Sequence, residues 1–212
     1  MSRDPDFVFG SMLPDLISML RVRMPQLSLG MLQRGVEFHR ETDRVFHASR
    51  WFGELQRESF QTLLERGLRR GGARAAAHVG IELLIDGVLA ESLAGSAPAA
   101  PLGRAASESY LAALERGAAA LTSATFQQDQ DAHRLRALCQ RLHGAGVQHL
   151  GAGPDLAMQQ LERALRGRPR LQLAPDEALE LGRWARQLAP VIEARLPCLL
   201  GELQNSLGLR LQ

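Results

Sequence analysis

The sequence predicts an all-α fold, on three observations. Apolar residues recur at the three- and four-residue spacing of a helix face over residues 31–48, 52–69 and 74–93. Clusters of β-branched and aromatic residues are scarce, and no segment alternates apolar and polar residues with period two. Acidic residues follow proline at Pro154-Asp155 and Pro175-Asp176-Glu177, where they would meet the exposed amides and positive dipole end of a starting helix.

Taken in order, Asp15 directly after Pro14 is expected to cap a helix. Residues 31–48 and 52–69 form the next two helices. Gly71-Gly72 separates these from residues 74–93, where Val79, Leu83, Ile85, Val88 and Leu89 supply apolar faces. The stretch Gly95-Ser96-Ala97-Pro98-Ala99-Ala100-Pro101-Leu102-Gly103 belongs to a loop at about residues 94–106, after which Ser107 starts a helix running to about Leu121. Three further helices are expected over residues 132–142, 156–166 and 176–203, the last breaking near Pro190 or Pro197. No repeat of fixed period is present.

At 212 residues and 45% hydrophobic, the chain is expected to fold as one helical domain spanning residues 1–212. No stretch reaches the roughly 18 uncharged apolar residues of a membrane span, and Met1-Ser2-Arg3-Asp4-Pro5-Asp6 lacks a signal-peptide core, so a cytoplasmic protein is expected. Cys139 and Cys198 lie far apart in apolar, helix-like settings and read as buried thiols, with neither disulfide nor zinc-knuckle spacing. Trp51 and Trp184 read as core, and His133, His143 and His149 as surface or packing residues around a glycine-rich turn. All 25 basic residues are arginine, a forked permanent cation suited to carboxylate and phosphate partners. A net charge of +2 and 5% aromatics argue against nucleic acid.

Two groups of residues carry chemistry. His39, Asp43 and His47 stand at successive four-residue steps, each turning the side chain only about 40° around a helix axis. His78, Glu82 and Asp86 repeat the spacing. Two such helices could converge on one divalent cation, which accepts mixed nitrogen and oxygen ligands. Glu82 and Asp86 fall in a strongly apolar segment, where a buried carboxylate needs a cation or neutralisation. A metal, a salt-bridge network drawing on Arg40, Arg44 or Arg74, and plain exposure all remain open at this point. Gly-x-Ser-x-Gly, Walker and Gly-x-Gly-x-x-Gly motifs are absent.

Three segments, Gly10-Ser11-Met12-Leu13-Pro14-Asp15, Gly35-Val36-Glu37-Phe38-His39-Arg40-Glu41-Thr42-Asp43 and Glu82-Leu83-Leu84-Ile85-Asp86-Gly87-Val88-Leu89-Ala90, resemble in order and separation the motifs of the acyl carrier protein phosphodiesterase family, an all-helical branch related to HD-domain hydrolases. The resemblance extends loosely to residues 161–168 and the final helix. It implies a single-domain, HD-domain-like helical bundle with a divalent metal, manganese first and iron or zinc as alternatives, held by Asp15, His39, Asp43 and Asp86. Glu82 stands where the family has Asp. The chain departs at His47, in place of a second Asp, at Gly87, in place of a His, and at Pro14, in place of Ala. The family's opening segment with a histidine has no counterpart before Gly10. His47 and His78 would then restore lost imidazoles to the ligand set.

The implied reaction is metal-dependent release of 4'-phosphopantetheine from an acidic acyl carrier protein, with Asp86 or Glu82 as the base and arginines facing the carrier. Two alternatives stand beside it. One is another HD-like metal phosphohydrolase acting on a nucleotide or lipid head group; the other is a non-catalytic helical scaffold with a decayed site.

Overall fold

A computed structural model describes residues 4–94, 100–121, 126–146, 153–166, 168 and 171–208. The elements are α1 (Pro5–Leu20), α2 (Met31–Ala48), α3 (Arg50–Glu65), α4 (Arg70–Ala75), a π-helical turn (Ala76–Gly80), α5 (Ile81–Ala94), α6 (Ala100–Ala120), α7 (Asp129–Ala145), α8 (Gly153–Leu165) and α9 (Pro175–Ser206). No strand occurs among the described residues, so the fold is all-α. No helix among them is long and apolar enough to cross a membrane. The contacts gather into two compact units: Met1–Arg44 with Leu93–His149 and Leu209–Gln212, and Val45–Ser92 with Leu150–Gly208.

In the first unit α1 begins at Pro5, where the Asp4 carboxylate accepts the amides of Asp6 at 2.9 Å and Phe7 at 3.2 Å. Pro14 lies inside this helix, so Asp15 is a mid-helix residue and not the expected cap. Packing sustains the helix through the proline: Phe9, Leu13, Leu16 and Ile17 are buried with Val36, Leu114, Leu135 and Cys139. The α1–α2 approach is possible only because two glycines face each other. A Cβ on Gly10 would lie 2.1 Å from the Leu32 carbonyl oxygen, and one on Gly35 would lie 2.2 Å from that of Phe7. Gly117 on α6 likewise leaves room for the Phe9 ring, which a Cβ would meet at 2.1 Å.

The second unit is built around Trp51, Phe52, Leu63, Ile81, Leu161, Leu181, Trp184, Ile192 and Leu199. Gly71 and Gly72, expected as a break, lie within α4; the chain turns just before it, with Gly67 at φ 88. The glycine freedom needed for a left-handed turn is used at Gly67, while Gly72 admits the Leu173 side chain, which a Cβ would approach to 2.9 Å. α9 also departs from expectation by running unbroken past Pro190 and Pro197. Each proline removes one backbone donor, but Trp184, Ala185, Ile192, Leu196 and Leu199 anchor the helix on both sides. α6 starts at Ala100, earlier than Ser107; residues 95–99 of the expected loop lie outside the described residues. Cys139 is buried as expected and its thiol is pushed up to about 11 by burial, whereas Cys198 is exposed. His133 and His143 are exposed, and His149 lies outside the described residues.

Candidate metal centre

The site is carried by the continuous helical path of α4, the π-helical turn and α5, and it depends on how that path is anchored. Glu177, buried at 5% exposure, places Oε1 on the backbone amide of Arg69 at 2.7 Å and Oε2 on that of Ala174 at 2.7 Å. Those two residues cap α4 and α9, so one carboxylate serves the open amides of two helix starts. The Arg69 guanidinium closes on the same carboxylate at 2.7 Å and also donates to the Gln172 carbonyl. Arg69 first, then the two amides, hold the Glu177 carboxyl down to about 2 against the opposing effect of burial.

Beyond that anchor, Ala76, Ala77 and Gly80 are buried in the π-helical turn, and their small size suits close packing. A π-helical insertion widens one turn of a helix and frequently occurs at functional positions. His78 sits within it. A second backbone event brings in His47: α2 ends at Ala48, Ser49 caps α3 by accepting the Phe52 amide at 3.2 Å, and His47 is left in the last turn of α2.

The outcome is a convergence of three donors. Nε2 of His47 and Nε2 of His78 each lie 3.6 Å from Oε1 of Glu82. One ligand atom from each of the three residues falls within 4.8 Å of the others, a spacing that fits one ion. The imidazole rings are 5.1 Å apart between centroids and tilted by 30°. Phe52 meets both edge-on, at 5.1 Å from His47 and 5.8 Å from His78, and Phe46 meets His47 at 5.2 Å. These rings shield one side, while side-chain exposures of 33%, 43% and 31% for His47, His78 and Glu82 leave the other open. Behind His78, Nδ1 lies 2.9 Å from the side-chain nitrogen Nε2 of Gln56 on α3. As placed, the Gln56 NH2 donates to Nδ1, which puts the ring proton on Nε2; exchanging the amide oxygen and nitrogen of Gln56 reverses this and directs the Nε2 lone pair at the ligand position, as an outer partner does for a metal-binding histidine.

The other expected residues fall elsewhere. Asp86 is exposed on α5, one turn beyond Glu82, instead of buried in an apolar helix. Glu82 is half-buried, and the salt-bridge partners it shows are histidines, while Arg44 is paired with Glu41 at 2.6 Å and Arg40 and Arg74 are exposed. In the first unit His39 Nδ1 lies 2.9 Å from the Ser11 carbonyl and 3.9 Å from Asp15 Oδ2. The Asp15 carboxyl is held above its usual range, by desolvation first, opposed by His39 and reinforced by the nearby Asp43. Its side chain is still 74% exposed, so this is a modest electrostatic grouping at the surface. Asp15, His39 and Asp43 thus gather in one unit, while His47, His78, Glu82 and Asp86 belong to the other.

Comparison with protein-family models, with curated proteins and with solved structures finds no match. Sequence reasoning overlooked Gln56, Phe46 and Phe52 as surroundings of the trio and Arg69 with Glu177 as its anchor. Glu177 offered one signal, its place three residues after the α9 cap; a glutamine within an amphipathic helix offers none.

Proposed function

We propose that this chain is a divalent-metal-dependent hydrolase of phosphodiesters, of the acyl carrier protein phosphodiesterase kind within the HD-like helical hydrolases that its motifs resemble. The observation that supports this reading most is the convergence of His47, His78 and Glu82, two nitrogens and one oxygen with a solvent-facing side. That donor set suits manganese, iron or zinc and leaves coordination positions for substrate and water. The chemistry such an ion supplies is polarisation of a phosphoryl oxygen and a lowered pKa for a coordinated water. Within the chain, Glu82 and the two imidazoles bind, Gln56 orients His78, and Asp86, exposed beside them, accepts the proton. The proposed partner, an acidic carrier protein, would meet a surface whose cations are all arginine.

A second reading, a lipid head-group phosphodiester as substrate, is favoured by the apolar cleft that Glu82 shares with α9. Assays on holo carrier protein beside a panel of lipid and nucleotide phosphodiesters separate the two.

The deciding measurement is elemental mass spectrometry of protein exposed to manganese, iron or zinc and then desalted. Wild type is expected to retain close to one ion per chain and to hydrolyse bis(p-nitrophenyl) phosphate. His78→Ala and His47→Ala should lose the ion and the rate together, and Gln56→Ala should weaken metal affinity by about 10- to 100-fold. His39→Ala tests the ligand set that the resemblance implies; loss of metal there with retention in His78→Ala would move the ion to Asp15, His39 and Asp43. No ion in wild type would leave the non-catalytic scaffold.

A further inference from the structure

Resting on the hydrolase reading in its lipid head-group form, we infer that the substrate carries an uncharged alkyl arm, seated in the cleft between α5 and α9 while its polar group lies at the His47–His78–Glu82 trio. The cleft has a volume of about 200 Å³. Ile85 and Leu89 of α5 form one wall, Leu196, Leu199, Leu200 and Leu203 of α9 the other, and Phe46 a third side. Phe46 also touches the His47 ring, at 5.2 Å between centroids. Glu82 belongs to both the trio and the cleft lining, so a molecule filling the cleft has one end at the metal-binding atoms.

The chemistry of the lining selects the occupant. Apart from Glu82 and Asp86, every lining side chain is apolar, and none of the lining residues is a cation or a neutral hydrogen-bond donor. A phosphate group would meet two carboxylates and no basic residue there, so the anion belongs at the trio and the portion in the cleft is uncharged. A sugar or base would leave its polar groups without partners, whereas a methylene chain asks only for removal from water. Leu200, 37% exposed, stands at the rim and opens the cleft to an entering chain.

The test uses alkylphosphonic acids from methyl to octyl, titrated calorimetrically into manganese-loaded full-length protein. The dissociation constant should fall by about fourfold per added methylene until the cleft is full, then level off. Leu200→Glu and Leu203→Glu, at positions exposed or half-buried, should flatten that dependence while metal content stays at the wild-type value. A dissociation constant independent of chain length in wild type, or an unchanged slope in both variants, overturns the inference. The same series of n-alkanols on metal-free protein keeps the two readings apart. Length dependence there without metal retention upholds the cleft and sinks the hydrolase; metal retention without length dependence sinks the cleft alone.

Discussion

Gly35→Ala is expected to destabilise the protein by about 3 kcal/mol or more. The added Cβ would sit 2.2 Å from the Phe7 carbonyl oxygen, 2.7 Å from the Ser11 amide nitrogen and 2.8 Å from the Gly10 Cα. All three are backbone atoms of α1, which cannot rotate aside as a side-chain end can, so the helices must separate. Separation uncovers Phe9, Leu13 and Val36, which are buried at 1% exposure or less. Thermal unfolding followed by circular dichroism should show a midpoint lower by about 10 °C, at the 2–4 °C per kcal/mol usual for this size. Gly53→Ala is the control. It lies inside α3 with nothing within 4 Å of a Cβ, and it should stabilise by about 0.5–1 kcal/mol through helix propensity. A Gly35→Ala midpoint equal to wild type would show that the α1–α2 approach is looser than described.

Glu177→Gln is expected to remove an acid-sensitive part of the stability. The folded carboxyl titrates at about 2 against 4.5 for the free side chain. Folding therefore favours its ionised form, and the stabilisation is fully present above the unfolded value and lost as the pH falls from about 4.5 through about 2. The magnitude is roughly 2 kcal/mol, below the unscreened conversion of the shift because Arg69 is 61% exposed. Urea unfolding at pH 6 and pH 2.5 should show the wild type losing that much more stability than the variant. Equal losses would mean that Glu177 is not the group that titrates. Since this carboxylate ties the starts of α4 and α9, Glu177→Ala should additionally weaken metal retention at His78 and Glu82, an effect absent from Gly53→Ala.

The helices themselves were legible where periodicity was strong. Residues 31–48 coincide with α2, and the final helix differs from expectation by one residue at its start and three at its end. The misread punctuation has one physical cause. Gly71, Gly72, Pro190 and Pro197 all disfavour helix locally, yet burial of flanking apolar residues outweighs a cost of about 1 kcal/mol for glycine and about 3 kcal/mol for an interior proline. Asp15, similarly, was expected at a helix start because proline precedes it, but Asp4 and Pro5 begin the helix ten residues earlier and the core carries it through.

The candidate site divides along the same line. Four-residue spacing is a property of the chain, and along the continuous path of the π-helical turn and α5 it places His78 beside Glu82. The same spacing in His39, Asp43 and His47 did not yield a shared donor cluster: His39 turns to the Ser11 carbonyl of α1, and His47 meets residues of another helix. What the sequence by itself determined is therefore the all-α class, the amphipathic segments and the local pairing of His78 with Glu82, because periodicity and side-chain spacing are set within a few residues. Only the tertiary structure decided that His47 completes the trio, that Gln56 backs it, that a leucine-lined cleft adjoins Glu82, and that Glu177 anchors the supporting helices. Each of these joins residues from separate helices, and their meeting is fixed by packing between helices, which no local spacing encodes.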